Sequence, residues 1–267
     1  SAAVDAFYHL GRCHHLNEDI PNARIYYNKF IELSNKKSEL IAASHLRLKQ
    51  CDIAEYSIAN PKTVEVLNIG KVVNTDKPEY SPVVSLDGTS LYFTSRREWE
   101  DKSSNNFRDP LLNDFPEDIF VSYQDLDQEW TEPVKLAFCN NELNEATIAV
   151  SSDERQIYVY QDLSGGGDIY YSNFGGNKFE ELEKLRHNAV NTSFWETHCT
   201  LTPDGENMYF VSDRPGGFGG RDIYRIVKLP NGEWSEAQNM GPNINTEYDE
   251  DSPFIAVNNK TLYYASN

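Results

Sequence analysis

Apolar residues change their spacing once along this chain. From Ala2 to about Ile58 they recur at helical intervals with no alternation, the pattern of helices that each bury one face. "AFYHLGRCHHLNEDIPNARIYYNKFIELS" predicts two helices broken at Asn17 to Pro21, with Phe7, Leu10 and Gly11 on one face and Ala23, Tyr27 and Phe30 on another. "KSELIAASHLRLKQCDIAEYSIAN" predicts a third helix, stopped by Asn60 and Pro61. Past Pro61 the period falls to two, and Asp, Gly, Pro and Asn punctuate short aromatic strands. The expected organisation is a helical segment over 1–60 and a β portion over 61–267.

The β portion repeats itself. "VNTDKPEYSPVVSLDGTSLYFTSRRE", "LNEATIAVSSDERQIYVYQD", "VNTSFWETHCTLTPDGENMYFVSDRP" and "INTEYDEDSPFIAVNNKTLYYASN" are versions of one unit. Each runs through a short strand to a polar turn and returns on an aromatic strand. Asp87-Gly88 and Asp204-Gly205 are turn pairs of the kind that joins hairpins, because both residues tolerate positive φ. A third strand follows in "EDIFVSY", "GDIYYSN" and "RDIYRIV", and a fourth after an aromatic in "EWTEPVKL", "KFEELEKL" and "EWSEAQNM". Four strands recurring at about 50 residues describe the blades of a propeller. The blades are expected over about 73–138, 139–185 and 186–240, with the start of a fourth over 241–267.

"NIGKVVNT" matches "NMGPNINT", so 63–70 is expected as a fourth strand that closes a last blade encoded after Asn267, and the chain as part of a longer protein. The glycine-rich "PGGFGG" before Asp222 links a second strand to a third. A phosphate cradle would lead into a helix N-terminus, and this stretch leads into a strand. Asp118, Asp168 and Asp222 each open a third strand. Once-per-blade recurrence suits a carboxylate that binds loop backbone better than a catalytic group.

Charge and composition narrow the chemistry. A formal net charge of −18 without a basic patch disfavours nucleic acid and anionic lipid as partners. No apolar stretch approaches the ~20 residues of a membrane helix, so direct membrane insertion is not expected. The 4 cysteines, Cys13, Cys51, Cys139 and Cys199, are widely spaced, and the 6 histidines are scattered. No CxxC, HExxH, GxSxG or DxDxD motif occurs. No catalytic residue, metal or cofactor is therefore expected.

Preceded by helices in which Gly11 and Ala23 stand where small residues cross, the helical part resembles a tetratricopeptide repeat, with His14 and Asn35 departing from its pattern. The per-blade pattern of Asn-Thr, Ser-x-Asp-Gly, Leu-Tyr-Phe-x-Ser, Gly-Gly-x-Asp-Ile-Tyr and Trp-x-x-Pro resembles the PD40 (WD40-like) propeller repeats. The combination is similar to OmpA-family envelope proteins of Bacteroidetes, the group that includes the PorE component of the type IX secretion system. That resemblance implies a non-enzymatic periplasmic scaffold, held at the outer membrane as a lipoprotein, whose partners are other envelope or secretion-system proteins. It implies peptidoglycan binding only through a domain that these residues do not include. A propeller that binds a glycan or small ligand, and a propeller hydrolase or lyase, are the alternatives.

Candidate partner-binding residues are aromatics, aliphatics and arginines in the links between strands. The insertion "REWEDKSSNNFRDPLLNDFP" carries Arg97, Trp99, Phe107, Arg108, Leu111, Leu112 and Phe115. Its length exceeds what the blade requires, and its composition is too apolar for a solvating linker. Trp195 and Phe218 join them from other blade links. The competing expectation is that the insertion folds back over its own blade.

Overall fold

A computed structural model of the protein describes residues 2–35, 38–98, 108, 113–139, 143–162, 166–186 and 189–267. The chain divides into two compact units, Ser1–Leu67 and Asn68–Asn267.

The first unit contains α1 (Ala2–Leu16), α2 (Ile20–Leu33) and α3 (Glu39–Ala59). Asp19 caps α2: its carboxylate accepts from the Asn22 backbone N–H, and His14 Nδ1 lies 2.9 Å from Oδ2. Tyr8, Ile20, Ala23, Tyr27, Phe30 and Cys51 form the core. The helical spacing was legible, and Gly11 faces Tyr27 where α1 meets α2. A Cβ on Gly11 would lie 2.7 Å from the Tyr27 ring, so the glycine makes room for an aromatic. None of the described helices is long and apolar enough to cross a membrane.

The second unit is built from antiparallel sheets in simple up-and-down order. One contains β1 (Glu79–Val84), β2 (Ser90–Ser95), β3 (Asp118–Tyr123) and β4 (Val134–Lys135). The next contains β5 (Glu145–Val150), β6 (Gln156–Gln161), β7 (Asp168–Asn173) and β8 (Glu183–Lys184). The third contains β9 (Glu196–Leu201), β10 (Asn207–Ser212), β11 (Asp222–Val227) and β12 (Gln238–Asn239). β13 (Glu250–Ile255) and β14 (Leu262–Ser266) form a two-stranded sheet. These are propeller blades. β5 packs against β1 and β9, and β9 against β13, whereas β1 and β13 make no contact among the described residues. The blades therefore make an open arc with the first strand of each innermost.

Residues 61–70 form no strand, and Val64, Val66 and Leu67 are exposed. The closing strand expected at 63–70 is thus not formed in this chain. A strand needs a neighbouring edge for its N–H and C=O groups, and none of the described strands pairs with this segment.

One corner recurs at Glu79, Glu196 and Glu250, while at Glu145 the Gln161 amide takes the place of the serine. The glutamate that opens the innermost strand is fully buried in Glu145, Glu196 and Glu250. Glu196 accepts from the Thr192 N–H (3.0 Å), the Thr192 hydroxyl (2.8 Å) and the Ser212 hydroxyl (2.7 Å). Glu250 repeats this with Thr246 and Ser266, and Glu79 with Thr75 and Ser95. Arg214 adds a charge to Glu196 at 3.2 Å, stacks over Phe210 and Tyr224, and donates to the carbonyls of Ala189 and Val190. Arg97 does the same for Glu79 over Phe93 and Phe120. The glutamate's backbone N–H then crosses to the previous blade: Glu145 to the Glu117 carbonyl, Glu196 to Gly167, Glu250 to Arg221.

Arg214→Ala leaves the buried Glu196 carboxylate without its cation, a loss on the order of 3 kcal/mol for such pairs. Chemical denaturation of the variant is expected to show that loss. A change under about 0.5 kcal/mol, the size of an ordinary surface substitution, would contradict the role given to this corner.

Candidate functional site

Strand register places the candidate residues at one end of the blades. Ser212 pairs with Glu196 on one side and Asp222 on the other, and Ser95 pairs likewise with Glu79 and Asp118. The links into each first strand and between second and third strands therefore share that end. Trp195, Phe218 and the insertion after β2 all belong to such links.

The opposite end carries the turns. Asp87 Oδ1 accepts from the Thr89 N–H and the Ser85 hydroxyl, and Asp204 Oδ1 from the Glu206 N–H and the Thr202 hydroxyl. Gly88 (φ 81°) and Gly205 (φ 70°) supply the left-handed residue, a place taken by Glu154 and Asn259 in the other units. These hydrogen bonds hold both aspartates below the usual carboxylate range, led by the Thr89 N–H for Asp87 and the Thr202 hydroxyl for Asp204.

The third-strand aspartates do not behave alike. Asp222 binds loop backbone, accepting from Phe218 N–H (2.6 Å) and Gly219 N–H (3.2 Å). Asp118 and Asp168 instead pair with Lys135 (2.8 Å) and Lys184 (2.5 Å) from the outermost strand. A lysine on the neighbouring outermost strand reaches the same carboxylate where the sequence offers one, and Asn239 stands there in the third blade.

Two residues proposed for partner contact are built into the fold. Arg97 is enclosed by the corner described above, and Phe115 is buried against Lys77 and Arg108 while its carbonyl accepts from Arg96. For these two the insertion folds back over its own blade. Trp99, Phe107, Leu111 and Leu112 lie outside the described residues. Arg108 is exposed, with its guanidinium 3.6 Å from the Phe115 ring centre.

Arg221, which ends the loop carrying Phe218, stands beside Trp195. The Trp195 indole N–H donates to the Tyr160 hydroxyl (2.8 Å), its backbone N–H to Asp213 (2.7 Å), and Arg221 stands 5.9 Å from its ring. Gly167 leaves space for that indole, since a Cβ there would lie 2.2 Å from Nε1. Arg221 ends the loop carrying Phe218, and Gly219 of that loop presses on the Tyr248 and Thr246 carbonyls of the next unit. Arg221 also meets Asp251 at 2.7 Å and Asp249 at 3.5 Å, and His198 Nδ1 lies 2.7 Å from Asp251. Phe194, Trp195 and Phe218 remain 41%, 42% and 50% exposed. The Arg221 N–H leads in holding Asp249 below its ordinary pKa. Burial pushes Asp251 up, but His198, the Ser252 N–H and Arg221 together bring it down.

Sequence reasoning missed this charged hub, because His198, Arg221 and Asp251 are far apart in the chain and meet only where blades adjoin. It also missed a buried group, Asp118, Cys139 and Glu145, whose potential ligand atoms lie within 4.8 Å of one another. Lys135 already faces Asp118, and burial pushes the Cys139 thiol well up. A protonated thiol whose Sγ accepts from the Ile119 N–H is a structural contact rather than a ready ligand. An open cleft of about 540 Å³ runs along the innermost strands, lined by Val83, Ile148, His198, Leu201 and Phe254 among others.

No family model matches the chain, and no curated protein matches it. Among solved structures it is similar to TolB from Acinetobacter baumannii (TM-score 0.46, 18% identity, 72% of this chain and 39% of that one). It is also similar to a putative TolB from Agrobacterium tumefaciens (0.42, 16%, 73% and 72%) and to an α-L-arabinofuranosidase from Lactobacillus brevis (0.40, 11%, 70% and 64%). The chain thus spans about two fifths of the length of the Acinetobacter TolB.

Two outcomes test this account. Chelator treatment is expected to leave the melting temperature unchanged, and a drop of several degrees would reveal a bound ion at the Asp118 group. Asp249 and Asp251 have depressed folded-state pKa values, so their contribution is complete above the unfolded value of about 4 and disappears as pH falls through the folded values. Melting temperature should be flat above about pH 5 and fall on the acid side, less steeply in Asp251→Asn. An equally steep acid limb in that variant would remove Asp251 from the explanation.

Proposed function

We propose that this chain is a non-enzymatic scaffold that binds protein partners through the loop end around Trp195 and Phe218. One observation carries the reading. At that end the repeat's own polar groups are consumed by corners and blade joints, while Phe194, Trp195 and Phe218 stay on the surface, Trp195 beside Arg221. Exposed aromatics beside arginine are the side chains that dominate interface energetics, and they sit on links fixed by the rigid joints. A chain of net charge −18 suits protein partners better than polyanions. The repeat resemblance supports a periplasmic protein within an outer-membrane-associated assembly of the type IX secretion kind.

A small-ligand or enzymatic role for the cleft is the second reading, favoured by His198, which lines the cleft and pairs with Asp251. Among the described residues no serine, threonine or cysteine is hydrogen-bonded to His198, so the pair has no activated nucleophile beside it. The test is affinity purification from native envelope with the unaltered chain and a Trp195→Ala, Phe218→Ala variant, compared quantitatively. The variant is expected to keep its melting temperature within a few degrees and to lose partners at least tenfold. Full recovery of the same partners by the variant would sink the proposal.

A further inference from the structure

In the second and third blades, an asparagine in the link to the next unit clamps the third strand. Asn191 Oδ1 accepts from the Ile169 N–H (2.9 Å) and its Nδ2 donates to the Ile169 carbonyl (2.7 Å). Asn245 holds Ile223 in the same way at 2.8 and 2.9 Å. Asn239 completes the second clamp. Its Oδ1 accepts from Gly241 N–H and Asn245 Nδ2, both at 2.8 Å, and its Nδ2 donates to Asp222 at 2.7 Å. The clamp thus reads the Asp-Ile pair that opens a third strand.

The link in front of β1 carries the same frame. Asn68 Oδ1 accepts from Gly70 N–H (2.8 Å) and Asn74 Nδ2 (3.0 Å). The Asn74 N–H bonds the Gly70 carbonyl at 2.9 Å, as Asn245 bonds Gly241. Gly70 and Gly241 both take positive φ, 100° and 79°. The frame is fixed from behind: Val73 is buried with Leu91, Phe93 and Phe120, Arg97 donates to its carbonyl, and Thr75 binds Glu79. Yet among the described residues Asn74 Oδ1 accepts no hydrogen bond and Asn68 Nδ2 donates none.

We propose that Asn68–Asn74 is a preformed clamp for one occupant, a β-strand opening with Asp-Ile from a further blade of this repeat. Asn74 would take the isoleucine's N–H and C=O, and Asn68 Nδ2 the aspartate. The chain's own Asp-Ile pairs at 118–119, 168–169 and 222–223 are already seated within their blades, so the strand must be an additional one.

The probe is a fluorescent peptide with the sequence of residues 220–227, GRDIYRIV, titrated into the chain by anisotropy. Saturable binding is expected, weakened at least tenfold by Asn68→Ala or Asn74→Ala in the protein and by Asp222→Ala in the peptide, and abolished by N-methylation at Ile223. The peptide changes are read on unaltered protein, so the test survives misfolding of either asparagine variant. Absence of saturable binding overturns the proposal. So does binding indifferent to the peptide changes, which would mark nonspecific strand addition at the free β14 edge.

Discussion

The glutamate at the head of each innermost strand, fully buried at Glu145, Glu196 and Glu250, is the constraint on which the β unit depends. A carboxylate removed from water must be paired and fully hydrogen-bonded or it destabilises the fold. Glu196 meets that demand by drawing in a threonine from the incoming link, a serine from the second strand and an arginine from the following loop. Satisfying one charge therefore fixes three separate segments. Its own N–H then reaches the preceding blade, so the same residue sets blade geometry and blade spacing.

Much of this architecture was legible because the repeat displays its periodicity several times. Strand alternation, Asp-Gly turns and the Asn-Thr links stood in register, and each became a strand, a turn or a corner. The meaning of individual polar residues was less legible. Arg97 and Arg214 look like surface cations in "TSRRE" and "VSDRP", yet both lie over aromatic rings against the glutamate that heads an innermost strand. The signal existed in hindsight: an arginine recurring after the Ser that ends a second strand, with a Glu recurring five residues after Asn. Distance in the chain hid the rest. His198 and Asp251 belong to adjoining units, and no local spacing announces a contact between them.

The candidate site was legible as an end of the fold more than as a set of residues. Every proposed contact residue falls on links that the strand register gathers at one end. Burial then sorted them, enclosing Arg97 and Phe115 and leaving Trp195 and Phe218 outside. Aromatic composition alone could not sort them, since the same ring serves packing or recognition according to what the neighbouring link covers.

The joint between blades is made of halves contributed by two successive repeats: a carbonyl before one third strand and an N–H at the head of the next first strand. Stability in such a chain is a sum of units and nearest-neighbour terms. Because every repeat carries a donor half at one end and an acceptor half at the other, a whole repeat removed or duplicated restores an intact joint at the splice. Blade number can thereby change by whole repeats without breaking a joint, because the joint is made by backbone groups that any repeat carries.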